Sequence, residues 1–179
     1  MEKAIFAGGC FWCTEAFFLD IKGVIEVSPG YTGGHIEYPT YEMICSGTTG
    51  HVEAIEIIYN PKIVTYLNLL KIFFDTHDPT QVDGQGNDIG SQYLSVIYFS
   101  NDQQKIEAQR YIEELINNYN APIVTKLYSE KPFYKAEEYH KNYFNNNRGQ
   151  PYCQIIIEPK YKKFINKNNI LLEKNNTIN

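Results

Sequence analysis

The chain has 179 residues, a formal net charge of −5 at pH 7 and a 15% share of aromatic residues. This length fits one domain with a sizeable core, and the acidic balance argues against a nucleic-acid-binding protein. No apolar run is long enough to cross a bilayer and no signal peptide is visible, so we expect a soluble, monomeric protein of the cytoplasm without a membrane partner.

The N-terminal part of the chain predicts a strand, a helix, a second strand and a second helix. The apolar run at 4–7 predicts the first strand, and residues 16–19 predict a helix that begins after a Gly-Gly turn. Residues 23–28 predict the next strand, and the glycine-rich run at 29–35 predicts a loop. A short helix or turn follows, which begins at 38–42 and ends near 45–47.

Residues 50–59 predict a strand that carries two glutamates, Glu53 and Glu56, on opposite faces. Each glutamate shares its face with apolar residues, so counting with a period of two leaves open which of them points inward.

The rest of the chain predicts alternating helices and strands. The predicted elements are a helix over 64–77, a polar loop over 80–92, a strand over 93–99, a helix over 100–118, a strand over 122–127, a helix over 135–144 and a strand over 152–157. Ser100 and Gln103 fit a capping box at the start of one helix. We expect one domain over 1–165 and an Asn- and Lys-rich, frayed tail over 166–179.

This alternation within one domain predicts an α/β (α+β) two-layer sandwich. We expect a mixed sheet, a ferredoxin-like core and long functional loops.

The four cysteines are too few for a disulfide scaffold at this length, which favours redox chemistry. Cys10 and Cys13 form a C-x-x-C pair at a predicted helix start, where residues three apart lie about 5–6 Å from each other and suit a disulfide. Zinc binding is the competing interpretation, but Cys45 and Cys153 are isolated and the histidines are scattered. We therefore expect no metal.

Cys10 follows the Gly-Gly turn, so we expect it at the first turn of the helix. Free backbone N–H groups and the helix dipole there lower the pKa of a thiol and make it a better nucleophile. Phe11 and Trp12 place large apolar surfaces beside it. The alternative is a buried structural thiol at a tight turn.

Acids and phenols that could assist a thiolate are the next candidates. Burial of Glu53 in an apolar strand would raise its pKa and let it donate a proton near neutrality, whereas an edge-strand position would leave it in water. Asp88 could instead be a turn residue, and Tyr41 and Tyr93 could be packed aromatics. His140 is expected to pack on its helix.

Short blocks spread over nearly the whole chain share one resemblance. They are Gly8-Gly9-Cys10-Phe11-Trp12, Gly30-Tyr31-Thr32-Gly33-Gly34, Pro39-Thr40-Tyr41, Cys45-Ser46-Gly47, Thr49-Gly50-His51-Val52-Glu53, Phe73-Phe74, residues 77–80, 85–93 and 133–137, and Tyr139-His140. In this order they resemble the blocks of the peptide methionine sulfoxide reductase A family, whose enzymes reduce methionine S-sulfoxide.

The resemblance implies a role for each residue around the thiol. Cys10 would attack the sulfoxide sulfur, Phe11 and Trp12 would hold the substrate's methyl group, and Glu53 would protonate the sulfoxide oxygen. That oxygen is a poor leaving group until it is protonated, so a carboxylic acid with a raised pKa suits the step. Cys10 would become a sulfenic acid, which a second thiol converts to a disulfide.

The resemblance also implies supporting residues and partners. Tyr41 and Tyr93 would be further donors to the oxygen, Asp88 would hold the pocket in shape, and Tyr152 would help to bind substrate. Thioredoxin or a dithiol would reduce the disulfide, and no cofactor is implied. Substrates would be free methionine sulfoxide and oxidised peptides and proteins, in repair of oxidative damage.

The chain departs from the family pattern at positions that bear on the second thiol. Many members carry glycine at the position of Cys13, and many end in a glycine-rich coil with the resolving cysteine, which Cys153 fits. We favour Cys13 as the resolving thiol, because helix geometry keeps it close, and keep Cys153 as the alternative. Cys45 has no role to carry over, and Leu94 replaces a residue that is often basic.

A thioredoxin-like disulfide oxidoreductase is the main rival function, because C-x-x-C is the redox pair of that fold. It explains Cys10 and Cys13 but none of the other blocks. A module that binds oxidised peptides without turnover is a second rival, and it would not need Cys10.

Overall fold

A six-stranded sheet lies at the centre of the molecule in the computed structural model, which describes residues 1–168 and 171. The strands are β1 (Glu2–Gly8), β2 (Val24–Thr32), β3 (Val52–Tyr59), the two short strands of a separate hairpin β4 (Gly84–Gln85) and β5 (Asp88–Ile89), β6 (Ser95–Phe99), β7 (Lys126–Ser129) and β8 (Phe133–Lys135).

The helices connect and cover these strands. They are α1 (Phe11–Phe18), α2 (Tyr41–Cys45), α3 (Tyr66–Thr76), α4 (Asp102–Leu115), α5 (Tyr143–Asn146) and α6 (Glu158–Asn168), with a π-helical segment (Cys153–Ile157) before α6 and 3-10 turns at Ser91–Tyr93, Ile116–Asn118 and Glu138–His140. No helix in the described part of the chain is both long and apolar enough to cross a membrane.

The strand order in the sheet is β7-β6-β1-β3-β2-β8. The inner strands β6, β1, β3 and β2 pair antiparallel, whereas β6 and β7 pair parallel, so the sheet is mixed. With α1 after β1 and α3 after β3, these inner strands form the β-α-β-β-α-β arrangement of a ferredoxin-like core. The predicted fold class is confirmed.

One face of the sheet packs against α1 and α3 and forms the main core. Phe6 of β1 stacks on Phe73 of α3 with ring centroids 4.9 Å apart, and Ile55 and Ile57 of β3 belong to the same apolar cluster. Glu53 lies on the core-facing side of β3 with these isoleucines and is 1% exposed. The structure thereby decides which glutamate of β3 points inward.

The prediction of a loop over 29–35 was wrong for its first residues. β2 continues to Thr32, because residues 30–32 find backbone partners on β3 and on β8. Gly30 fits there because a Cβ atom would come within 2.5 Å of the Tyr134 carbonyl oxygen. Its missing side chain therefore serves close strand packing rather than a turn.

Several boundaries in the second half of the chain were also wrong. The helix predicted over 100–118 begins at Asp102, and the Asn101 side chain caps it by accepting from the Gln104 N–H at 2.9 Å, so the cap residue is Asn101 rather than Ser100. β7 begins at Lys126 rather than near residue 122. Residues 135–144 are not one helix: they end β8, then form a 3-10 turn and start α5.

The strand predicted over 152–157 was wrong as well. Three consecutive isoleucines favour a strand, yet the buried residues are Cys153 and Ile157, which are four apart, and Ile155 is 70% exposed. This is the spacing of a helix face. α6 continues through Asn168, and residues 169, 170 and 172–179 of the predicted tail lie outside the described residues.

Candidate active site

Cys10 lies at the turn between β1 and α1, as predicted. Gly9 precedes it with a φ of +95°, a conformation that favours glycine. The carbonyl oxygen of Cys10 accepts from the Cys13 N–H at 3.1 Å and from the Thr14 N–H at 3.3 Å, so Cys10 is the N-terminal cap residue of α1. The Cys10 side chain faces inward and the residue is 9% exposed.

The thiols of Cys10 and Cys13 lie next to each other, and each shifts the pKa of the other. Burial raises the pKa of the Cys10 thiol, and Cys13 and Glu53 raise it further. The backbone N–H of Trp12 lowers this pKa, but its effect is smaller. The expectation of a lowered pKa for Cys10 was therefore wrong for this state. The interaction with Cys10 instead lowers the pKa of Cys13.

Glu53 lies beside the thiols and is confirmed as a buried acid. Its Oε2 accepts from the Phe11 N–H at 3.0 Å. Burial raises the pKa of Glu53 to about 8, with further contributions from Asp88 and Cys13. The carboxyl group therefore keeps its proton over much of the neutral pH range, next to the thiol pair.

Tyr41 and Tyr93 approach Glu53 from two other elements. Tyr41 opens α2, and Tyr93 ends the 3-10 turn before β6 rather than starting a strand. Burial and the nearby charge of Glu53 raise the pKa of each phenol, so both hydroxyls stay protonated and can donate.

Asp88 and Tyr152 form a hydrogen-bonded pair on the Cys13 side of the site. The Tyr152 hydroxyl donates to the Asp88 Oδ2 at 2.6 Å, and its oxygen is 3.9 Å from the Cys13 Sγ. The ring of Tyr152 meets the ring of Trp12 edge-on, with centroids 5.8 Å apart. Asp88 thus holds an aromatic side chain that borders both the thiols and the indole.

Phe11 and Trp12 form an aromatic wall next to Cys10. Trp12 stacks on Tyr143 with ring centroids 3.8 Å apart and an interplanar angle of 8°. Its Nε1–H donates to the His140 Nδ1 at 2.9 Å, and the His140 ring lies 4.9 Å from the Phe11 ring. The indole is therefore fixed on one face and at its polar edge.

The sequence reasoning missed Glu137 and underrated His140. Glu137 accepts from the Tyr31 hydroxyl and from the Tyr41 N–H, each at 2.8 Å. His140 is fully buried and binds Trp12 rather than merely packing. These partners lie about a hundred positions apart in the chain, so no local pattern signals them; the block at 133–140 was the sole hint.

Cys153 and Cys45 occupy opposite environments. Cys153 is 0% exposed in the main core, where burial and the nearby Cys13 raise the pKa of its thiol. Cys45 is exposed at the end of α2, beside Tyr41. All four cysteines are free thiols.

A small cavity lies behind the thiol pair. Its lining includes Cys10, Cys13, His77, Gln85, Asp88 and Lys160. Within the described residues, no group of three or more His, Cys, Asp or Glu side chains is arranged to hold a metal ion.

Comparisons with known proteins agree with this geometry. The family model described as peptide methionine sulfoxide reductase matches residues 2–171. A relative from Saccharolobus solfataricus, named peptide methionine sulfoxide reductase MsrA, is 46% identical over 165 residues, which cover 92% of this chain and 93% of the relative.

Solved structures show the same similarity. Mxr1 from Saccharomyces cerevisiae in reduced form superposes with a TM-score of 0.80 at 32% identity, over 85% of this chain and 88% of that chain. Mxr1 in complex with Trx2 superposes with a TM-score of 0.57 at 26% identity, over 79% and 84% of the two chains. The chain therefore belongs to the peptide methionine sulfoxide reductase family.

Proposed function

We propose that this chain is a peptide-methionine (S)-S-oxide reductase that acts on free and protein-bound methionine sulfoxide in repair of oxidative damage. The family supports the reaction class. The observation that carries the proposal is the buried Glu53 carboxyl group, which has a pKa of about 8. It accepts a hydrogen bond from the N–H of Phe11, the residue that follows Cys10. A proton donor beside a nucleophile is what sulfoxide reduction requires.

In the first step, the Cys10 sulfur attacks the sulfoxide sulfur while Glu53 gives a proton to the oxygen. The oxygen ends on Cys10 as a sulfenic acid, methionine leaves, and the Cys10 proton restores Glu53, so the step needs no outside proton. Ionised Glu53 raises the pKa of Cys10, and protonated Glu53 does not. The two groups therefore disfavour each other's ionisation, so Cys10 gives up its proton more readily while Glu53 is neutral.

The surrounding side chains bind the substrate. The Tyr41 and Tyr93 hydroxyls donate to the sulfoxide oxygen next to Glu53. Both phenols lie near this carboxyl group, because its charge raises their pKa values. Phe11 and Trp12 hold the methyl group on their apolar faces. Tyr152, held by Asp88, completes the pocket edge beside Trp12.

Cys13 is our proposed resolving thiol. It is three residues from Cys10 on the first turn of α1, and the two thiols interact with each other. Cys153 is fully buried in a π-helical segment, so bringing it to Cys10 would open the core packing around Ile157.

Disulfide mapping after one turnover without reductant tests this assignment. We expect a Cys10–Cys13 bridge with Cys153 free, and an unchanged rate of disulfide formation in Cys153→Ser, for which Cys45→Ser is the exposed control. A Cys10–Cys153 bridge with Cys13 free would contradict the assignment.

Thioredoxin is the proposed reductant, with a chemical dithiol as substitute and no cofactor. Support comes from the similar structure of Mxr1 in complex with Trx2. Reduction would proceed by thiol–disulfide exchange through a mixed disulfide. The cytoplasmic location and the monomeric state remain predictions from the sequence.

The rival function, a thioredoxin-like disulfide oxidoreductase, has the Cys10–Cys13 pair in its favour. The family to which the chain belongs supports the sulfoxide reductase instead. Reduction of insulin disulfides at a rate that exceeds sulfoxide reduction would reverse this choice.

The first experiment follows both diastereomers of a methionine sulfoxide peptide by chromatography, with dithiothreitol as reductant. We expect loss of the S form alone, and no loss with Cys10→Ser, which removes the nucleophile. Cys45→Ser, at an exposed thiol of the same chain, should retain the activity. Loss of neither form by the folded wild type would refute the proposed function.

A further inference from the structure

We propose that Lys160 on α6 is the electrostatic partner of Cys13 in the resolving step, acting from the cavity that both residues line. The inference rests on the proposed function, which assigns Cys13 as the resolving thiol. Lys160 would not touch the substrate; it would act through Cys13.

The cavity behind the thiol pair brings the two residues together. Lys160 lines it with Cys10, Cys13 and Asp88. Lys160 also lines the adjoining groove with Asp88 and Tyr152, so its ammonium group has access to the Cys13 side of the site. α6 is held against α1 by the rings of Phe17 and Phe164, 5.4 Å apart. The helix that carries Lys160 therefore packs on the helix that carries Cys13.

Lys160 differs from two other lysines of α6 in having no ion-pair partner in the described part of the chain. Lys162 pairs with Glu158 at 2.9 Å, and Lys167 pairs with Asp75 at 2.8 Å. The charge of Lys160 remains available to Cys13, and it lowers the pKa of that thiol. Because Lys160 is exposed to solvent, screening keeps the effect modest.

The other groups around Cys13 do not supply this charge. His77 also lines the cavity, but burial lowers its pKa to about 4, so it is neutral at physiological pH. Asp88 opposes a thiolate at Cys13, whereas the Tyr152 hydroxyl, 3.9 Å from the Cys13 Sγ, supports it. The titratable groups that face Cys13 are Cys10, Glu53, His77, Asp88, Tyr152, Cys153 and Lys160.

In the resolving step, the Cys13 thiolate attacks the sulfur of the Cys10 sulfenic acid. The S–S bond forms, the S–O bond breaks, and the hydroxide leaves with one proton as water. The Cys10 sulfur is reduced and the Cys13 sulfur is oxidised. The rate depends on the thiolate fraction of the attacking thiol, which a nearby cation raises.

Single-turnover kinetics without reductant test the inference on the full-length chain. Methionine release reports the first step, and disulfide formation reports the second, each measured against pH. In Lys160→Met we expect methionine release as in the wild type, disulfide formation about threefold to tenfold slower at neutral pH, and a pH profile displaced upward. Lys160→Arg keeps the charge and should restore the rate.

Lys163→Met is the matched control. Lys163 is on the same helix and lines a different groove, with His77 and Phe164, but not the cavity with Cys13. It should leave both steps unchanged. The inference would be overturned if the rate of disulfide formation had the same pH profile in Lys160→Met and the wild type. It would also be overturned if Lys160→Arg were as slow as Lys160→Met.

A titration of thiolate ultraviolet absorbance separates this inference from the proposed function, because it needs no turnover. Lys160→Met should titrate at higher pH than the wild type, and an identical titration would refute the role of Lys160. A wild type that releases no methionine would refute the proposed function, whatever the titration shows.

Discussion

Cys10 and Glu53 are placed by backbone, whereas Tyr152 and Lys160 are placed by side-chain packing. β1 and β3 are neighbours in the sheet, and the Phe11 N–H binds Glu53 directly. Tyr152 and Lys160 come from the C-terminal helical segment, which packs on α1 through rings. Cys10, just after the end of β1, and Glu53, on β3, are thus held together by the sheet, and the residues that tune the resolving thiol sit on a docked helix.

Replacing Glu53 should have the largest effect, because it removes one of the two reacting groups, Cys10 and Glu53, that form the sheet-bound half of the site. Glu53→Gln removes the proton donor but keeps the shape, and we expect methionine formation to slow by about 10²- to 10⁴-fold. In the wild type, the first step should slow as pH rises through about 8, where Glu53 loses its proton. Near-normal rates of Glu53→Gln across pH would contradict the role; Glu56→Gln, on the other face of β3, is the control.

Ile157 and Ile155 test the helical half of the comparison. Ile157→Ala should lower the free energy of unfolding by about 2–5 kcal/mol, because Ile157 is 0% exposed. Ile155→Ala should change it by less than about 0.5 kcal/mol, since Ile155 is 70% exposed. Denaturant unfolding of both variants measures the difference. Equal losses would argue for the strand that the sequence predicted here.

Glu137 connects the C-terminal region to Tyr31 and Tyr41 by two hydrogen bonds. Glu137→Ala removes both, so the start of α2 loses an anchor. We expect methionine formation about tenfold slower, the size of one hydrogen bond to a charged group, with little change in disulfide formation. Glu138→Ala changes the exposed neighbour and should match the wild type. Equal rates for the two variants would remove Glu137 from the positioning of Tyr41.

Glu15 joins the two regions, and its replacement is tested by stability rather than by activity. Its Oε1 accepts from the Asn142 N–H at 2.8 Å, and burial raises the pKa of Glu15 to about 7. The folded state therefore binds more protons than the unfolded state between the ordinary value of 4.5 and about 7, so stability falls as pH rises through this range.

Glu15→Gln keeps an acceptor for Asn142 and removes the titration. Between pH 5 and pH 8, we expect the free energy of unfolding of the variant to fall by about 1–3 kcal/mol less than that of the wild type. Denaturant midpoints at both pH values measure this difference. An identical pH dependence in the two proteins would contradict the raised pKa of Glu15.

Much of the sheet-bound half could be predicted from the sequence alone. The Gly-Gly turn before Cys10 and the apolar runs of β1 and β3 are local signals, and local sterics and periodicity decide such elements. The family blocks placed Glu53, Asp88, Tyr41 and Tyr93 in one site. In the structure Glu53, Asp88 and Tyr93 lie near the thiol pair, and Tyr41 lies near Glu53.

Tertiary structure alone decided the rest. Burial, which no local pattern fixes, reversed the expected direction of the Cys10 pKa and selected Glu53 over Glu56 on β3. The isoleucine run at 155–157 has strand propensity, but the core accepts Cys153 and Ile157 on one helix face. Contacts between residues far apart in the chain, such as Lys160 with the Cys13 cavity, exist only after the helices dock, because side-chain packing and not propensity sets them.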